Sequence, residues 1–246
     1  MDLPISACIV IPAYNAGPRL VETVRGALAQ CSAVRVVDDG SNDGSTTGWN
    51  LPEVRWTRLP QRQGKGGAVR AGLRDALAEG FSHALTMDAD GQHPASHIPA
   101  FLEAGCQRPE AFICGVPVFD ASAPTHRILG RRIGNFFSML ESLGCGPEDS
   151  LFGMRLYPVR PVLELLEKDR RGERFGLETL LSARLPVRGV PCVNIACPVR
   201  YFSAAQGGVS HFRLLADTWG LVCLHASLVP GAARAFFRHR QILWPC

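Results

Sequence analysis

Short apolar runs recur along the first half of this chain, and each stops at a polar, turn-forming cluster. Residues 7–12 (ACIVIP) lead to Tyr14-Asn15, and residues 34–38 (VRVVD) lead to Asp39-Gly40-Ser41. Residues 83–87 (HALTM) lead to Asp88-Ala89-Asp90-Gly91-Gln92-His93-Pro94. Apolar runs this short, bounded by turn residues, read as buried strands. Between them, residues 18–29 carry Leu20, Val21, Val24 and Leu28 at helical spacing, and residues 66–79 carry Val69, Leu73 and Leu77 on one face. Strands alternating with amphipathic helices predict an α/β fold, a mainly parallel sheet flanked by helices. Ligands of such sheets collect at the carboxyl ends of the strands. The polar clusters fall at those ends.

The remaining elements are fainter. Residues 55–59 predict a weak strand, residues 98–104 and 111–116 continue the alternation, and residues 124–143 predict a helix carrying Arg127, Arg131 and Arg132. Residues 152–157 (FGMRLY) and 190–198 read as strands, residues 174–185 as a helix, and residues 207–213 as a loop feeding a C-terminal helix. No repeat or linker interrupts the chain. The expected organisation is one domain over residues 1–211 and a helical elaboration over residues 212–246. The start has no basic segment followed by a long apolar one, so no secretory leader is expected. The nearest approach to a membrane span, residues 219–237, contains His225, Pro230, Gly231 and Arg234 and falls short of about 20 apolar residues. Aromatic and aliphatic side chains with flanking arginines suit a helix lying in a membrane interface, or one packed on the main domain.

Composition narrows the partners. A net charge of +4 is a modest excess, weak support for nucleic acid and compatible with an anionic small molecule or membrane surface. The nine cysteines show no C-x-x-C spacing, so they read as reduced thiols in a cytoplasmic protein.

Asp88-Ala89-Asp90 is the sharpest local signal. Two carboxylates one residue apart after a buried strand suit a hard divalent cation that also holds phosphates. An EF-hand is excluded, because the twelfth position from Asp88 is Pro99. A phosphatase using Asp88 as nucleophile lacks the downstream lysine context. Gly64-Lys65-Gly66-Gly67 is not a Walker loop, since Gly66 stands where Ser or Thr is needed. It reads either as a helix mouth with a cation for an anion or as a plain helix start. Adjacent Asp38 and Asp39 repel, which suggests a partner such as ring N–H or ribose hydroxyl groups. Arg127 and Arg131, at i and i+4, form either a basic wall for phosphates or a solvated face.

These motifs, in this order, resemble the family 2 glycosyltransferases of GT-A fold. The marks are residues 9–15 (IVIPAYN), 36–45 (VVDDGSNDGS), 64–68 (GKGGA) and 87–94 (MDADGQHP). Asp149 ahead of Phe152-Gly153-Met154-Arg155-Leu156-Tyr157, then Phe175-Gly176-Leu177-Glu178, then Ser210-His211, are most similar to the polyprenyl-phosphate mannose and glucose synthases. The chain departs from those synthases at Ala16, where they usually carry Glu, and at His211, where many carry Lys. The resemblance implies inverting transfer of a hexose from a UDP- or GDP-sugar. It implies that Pro12, Tyr14, Asn15, Asp39, Lys65 and Asp88 hold the nucleotide-sugar. Asp88, Asp90 and Gln92 would serve Mg2+ or Mn2+, and Arg127, Arg131 and His211 the acceptor phosphate. Asp149 is the first candidate for a base and Glu178 the second. A lipid-linked acceptor at the inner face of the membrane, a saccharide or soluble hydroxyl acceptor, and a non-catalytic nucleotide-sugar-binding subunit remain the three open readings.

Overall fold

The computed structural model describes residues 5–48, 51–119, 125–200, 202 and 214–243. Its strands are β1 (Ala7–Ala13), β2 (Val34–Asp38), β3 (Val54–Arg58), β4 (His83–Thr86), β5 (Phe112–Phe119), β6 (Arg155–Pro158) and β7 (Cys192–Val199). They form one seven-stranded sheet in the order β3-β2-β1-β4-β6-β5-β7. β1 pairs in parallel with β2 and β4, as do β2 with β3 and β5 with β7, while β6 runs antiparallel to both neighbours. The helices are α1 (Arg19–Leu28), α2 (Lys65–Ala78), α3 (Ile98–Gln107), α4 (Thr125–Glu141), α5 (Val159–Lys168), α6 (Leu177–Arg184) and α7 (Leu214–Leu243).

Both faces of the sheet are covered, which is why β1 and β2 lack a polar face. Cys8 and Val10 enter one core, with Leu73 of α2, Leu163 of α5 and Leu180 of α6. Ile9 and Ile11 enter the other, with Leu20 and Val24 of α1 and Ile98 and Phe101 of α3. Alternate side chains of one strand thus feed opposite cores. β1 lies between β2 and β4. The chain therefore winds to one side and then the other from β1, and a crevice opens at the carboxyl ends of β1 and β4.

Three sequence expectations change. The strand expected at 152–157 starts only at Arg155, because residues 151–154 stay irregular and tie to Asp149 and β4: Phe152 N–H donates to Asp149 Oδ1 and Thr86 Oγ1 to the Gly153 carbonyl. Helix α5 was not foreseen. Pro161 disguises it, yet a proline in the first helical turn forfeits no intrahelical bond. The C-terminal segment runs as one helix through Pro230 and Gly231, and its 22 residues Ala216–Phe237 are long and apolar enough, by length and composition, to cross a membrane. His225 of this helix pairs through Nδ1 with Glu141 of α4 at 2.9 Å.

One edge of α7 packs on the domain, with Leu224 and Leu228 in the core beside α6. The other edge exposes Trp219, Val222, Val229, Phe236 and Phe237. Helix α4 likewise exposes Leu129, Ile133, Phe136, Phe137, Met139 and Leu140. The two helices touch, so these side chains form an extended apolar surface.

Candidate active site

A cavity of about 1350 Å³ opens at the carboxyl ends of β1, β2 and β4 and reaches to α4, α6 and α7. Pro12, Tyr14, Asn15, Asp39, Lys65, Asp88, Asp90, Gln92, Arg131 and Glu178 all line it. The sheet brings these together although they span most of the chain. His211 lies outside the described residues, and Arg127 belongs to the first turn of α4 with its side chain outside them.

Lys65 is the hub. Its Nζ lies 2.5 Å from Asp88 Oδ1 and 2.7 Å from Glu178 Oε1. Burial opposes its charge, but the two carboxylates outweigh burial and hold the ammonium protonated far above its ordinary range. Burial also favours neutral Asp88, and Lys65 reverses that, keeping Asp88 below the ordinary carboxylate range. Asp90 has no such cation. Burial and the charge of Asp88 push its carboxyl up to about 6, although the Gln92 N–H donates to Oδ1 at 3.0 Å.

His93 is fixed from both sides. Its Nδ1 accepts the Asp88 N–H at 3.0 Å, and its ring meets the Phe152 ring edge-on at 4.6 Å. Burial drives its pKa down to about 4, so the imidazole is neutral and shapes the turn that carries the two aspartates. Gly153 leaves room for this cluster: a Cβ there would stand 2.6 Å from Asp88 Oδ2 and 2.8 Å from Lys65 Nζ.

The glycine-rich mouth of α2 serves a different purpose from anion capture. The N–H groups of Gly66 and Gly67 donate to the Glu173 carbonyl at 2.7 and 3.3 Å. Gly64, at φ +87°, and Gly66 pass so close to residues 172–174 that a side chain would overlap that backbone. The helix start therefore docks a loop, and Lys65 turns to the carboxylates.

The adjacent aspartates also find partners inside the protein. Asp38 accepts the Ser41 N–H at 2.7 Å and the Thr46 hydroxyl at 2.9 Å, so it closes a turn and needs no ligand. Asp39 accepts the Gln63 and Gly64 N–H groups, one on each oxygen, at 2.6 and 2.8 Å. Asn15, at φ 45°, exchanges hydrogen bonds with Asn42 and accepts the Asp43 N–H. The loops after β1 and β2 are thereby stapled into one rim. Arg62, which sequence reasoning passed over, lies over the Tyr14 ring at 3.9 Å.

Asp149 does not line the cavity. Its Oδ1 accepts Arg131 Nη1 at 2.6 Å and the Leu151 and Phe152 N–H groups at 2.9 and 2.7 Å. It is 4% exposed and holds Arg131 against the cavity wall. Beneath it, fully buried Arg155 donates to the carbonyls of Phe152, Asp149 and Glu178 and to Ser182 Oγ, at 2.8 to 3.1 Å. Arg155 thus ties the Asp149 loop to the first turn of α6, which carries Glu178. No sequence signal marked Arg155 beyond its place in FGMRLY, because its role needs three segments at once. Arg174 and His225 also line the cavity unannounced by any motif.

Residues 8–166 match the model of the family described as Glycosyl transferase family 2. Over 229 residues the chain is 37% identical to an undecaprenyl-phosphate mannosyltransferase of Micrococcus luteus, covering 86% of this chain and 93% of that protein. Over 219 residues it is 31% identical to a polyprenol monophosphomannose synthase of Mycolicibacterium smegmatis, covering 82% of this chain and 79% of that protein. Among solved structures, it superposes with a TM-score of 0.64 on glucosyl-3-phosphoglycerate synthase from Mycobacterium tuberculosis in complex with Mn2+, UDP and glucosyl-3-phosphoglycerate. That likeness covers 93% of this chain and 80% of the other at 16% identity, which speaks to the fold alone.

Proposed function

The chain belongs to glycosyl transferase family 2, with the GT-A fold, and from that premise we propose that it moves a hexose from a nucleotide-sugar to the phosphate of a membrane lipid, with inversion. One observation carries the acceptor assignment: the cavity is continuous from a polar floor at Lys65, Asp88 and Asp90 to an apolar wall of Ile133 and Phe137 on α4 and Leu221, Val222 and Val229 on α7. A sugar-phosphate acceptor alone has no use for that wall; a prenyl chain does. The names of the two curated relatives agree with this reading.

The donor half falls to the strand ends. Tyr14 and Arg62 flank one side, and Pro12, Asn15 and Asp39 form the rim for the nucleoside. Asp88, Asp90 and Gln92 offer oxygen donors at the diphosphate end. Among the described residues no group of three His, Cys, Asp or Glu side chains forms a cage for a metal. This donor set fits Mg2+ or Mn2+, which take one or two carboxylates and fill their shells with phosphate oxygens. When bound, such an ion supplies Lewis-acid stabilisation of the departing diphosphate. Lys65 keeps Asp88 charged and holds Glu178 in place beside it.

The acceptor half favours an anion. A hydroxyl acceptor requires a general base within reach. Asp149 is saturated by Arg131 and two backbone donors, and Glu178 is tied to Lys65. A phosphate is already nucleophilic and needs orientation and positive charge, which Arg131 and Arg174 bring to the cavity. Asp149 then acts as a positioning residue for Arg131. The apolar edges of α4 and α7 set the mouth of this groove against the cytoplasmic leaflet.

Calorimetric titration of GDP-mannose and UDP-glucose, with and without Mn2+, identifies the donor. Transfer of the bound sugar to undecaprenyl phosphate, and not to a soluble saccharide, is the expected result. Transfer to the saccharide alone overturns the acceptor assignment, and failure to bind either donor overturns the catalytic one.

A further inference from the structure

Four arginines gather outside the cavity along one edge of α7. Ser227, Gly231 and Arg234 are spaced i, i+4 and i+7 and so share a helix face. Arg171 Nη1 donates to the Ser227 carbonyl at 2.8 Å and to its hydroxyl at 2.9 Å. One turn on, the guanidinium of Arg184 fills the notch left by Gly231, where any Cβ would overlap it. Arg234 follows on the same edge, and Arg188 stands exposed in the turn after α6.

This group is short of negative charge. Asp169 is the acid beside it, and Arg171 holds both its oxygens, at 2.8 and 2.6 Å. Among the described residues no carboxylate pairs with Arg184, Arg188 or Arg234. Burial, then the charges of Arg171, Arg188 and Arg234, depress the pKa of Arg184. The guanidinium groups of Arg184, Arg188 and Arg234, which have no carboxylate partner among the described residues, match the charge and the planar, bidentate geometry of a phosphate, while Asp169 engages Arg171. Phe236 and Phe237 are exposed within one turn of Arg234. A phosphate bound here therefore has apolar matter at its side, the arrangement of a headgroup above acyl chains.

We propose that the Arg184–Gly231 notch, ringed by Arg171, Arg188 and Arg234, binds the headgroup phosphate of an anionic phospholipid and fixes how α7 lies on the bilayer. The proposal rests on the reading of the α4–α7 surface as the membrane-facing side. It concerns a site separate from the sugar-transfer cavity, none of whose lining residues it uses.

The test is sedimentation of the full chain with vesicles of phosphatidylcholine alone and of phosphatidylcholine mixed with phosphatidylglycerol. Wild type should bind the mixed vesicles more tightly, and each arginine removed should weaken that preference by about fivefold. R188Q/R234Q alters two exposed side chains and should keep the melting temperature, donor binding and the residual affinity for neutral vesicles. R184Q should act in the same direction. Free inorganic phosphate at millimolar concentration should not compete. Equal binding of wild type to both vesicles, or an undiminished preference in R188Q/R234Q, overturns the headgroup site while leaving the membrane-facing surface intact. Competition by free phosphate reassigns the notch to a soluble anion and overturns the lipid assignment. Binding to neither vesicle overturns the membrane reading itself.

Discussion

Lys65 separates two carboxylates that would otherwise face each other in a half-closed site. Lys65→Met leaves Asp88 and Glu178 without their cation. Removing one partner of a buried ion pair costs up to about 3–5 kcal/mol, and the loss should appear as a lowered melting temperature with weakened donor binding. Glu178→Gln added to Lys65→Met should recover part of that stability, because only one uncompensated charge then remains. Asp90 behaves differently, since no cation of the chain pairs with it among the described residues. Asp90→Asn should leave the unfolding free energy within about 0.5 kcal/mol of wild type or raise it. It should also weaken Mn2+-dependent binding of the nucleoside diphosphate by about tenfold or more, the worth of one charge-assisted contact. Calorimetry with and without Mn2+ separates the two effects. An Asp90→Asn protein that binds with wild-type affinity in Mn2+ removes Asp90 from the metal.

At the scale of elements, the site depends on how closely segments pass. Gly153 lies in the irregular stretch before β6 and against the turn after β4. Gly153→Ala should displace Asp88 and Lys65 by a few tenths of an ångström to about 1 Å, and displacements of that size cost up to about 10²-fold in turnover. The fold should persist, so kcat/KM should fall with little change in circular dichroism. Arg155 gathers three segments through neutral acceptors alone. Arg155→Met would strand the buried carbonyls of Phe152 and Asp149, at about 1–3 kcal/mol each. Thermal unfolding should show that loss. Arg155→Lys should recover little, because a single ammonium cannot span the fork of acceptors that the guanidinium reaches.

At the scale of the molecule, α7 has two loyalties. Leu224 and Leu228 belong to the core, and Trp219, Val222, Val229, Phe236 and Phe237 face outward. Truncation before Trp219 should therefore do two things together. It should abolish vesicle binding, and it should destabilise the domain, since each buried leucine lost is worth about 2–5 kcal/mol. Vesicle sedimentation and a melting curve on the same sample check both. Retained vesicle binding by a stable truncated protein would assign the membrane contact to α4 alone.

The parallel half of the sheet was legible because its strands are buried on both faces, and a chain must write that requirement locally as apolar runs. The strand-end clusters at Tyr14-Asn15, Asp39 and Asp88–Gln92 were legible for the same reason, since they follow those runs directly. What each polar residue does there was not. Asp38 and Asp39 look alike in the chain, yet one closes a turn and the other pins the loop before α2. The glycines at 64 and 66 suggested an anion site, and a loop more than 100 residues away occupies it. Asp149 read as a base, and nothing in the chain announced that its Oδ1 accepts Arg131 and two backbone N–H groups. Local pattern records whether a residue is buried and how the backbone turns, because both are settled within a few neighbours. A carboxylate's partner is chosen by whichever donors the sheet order brings within 3 Å, and that choice exists only once β1, β4, β6 and α6 stand side by side.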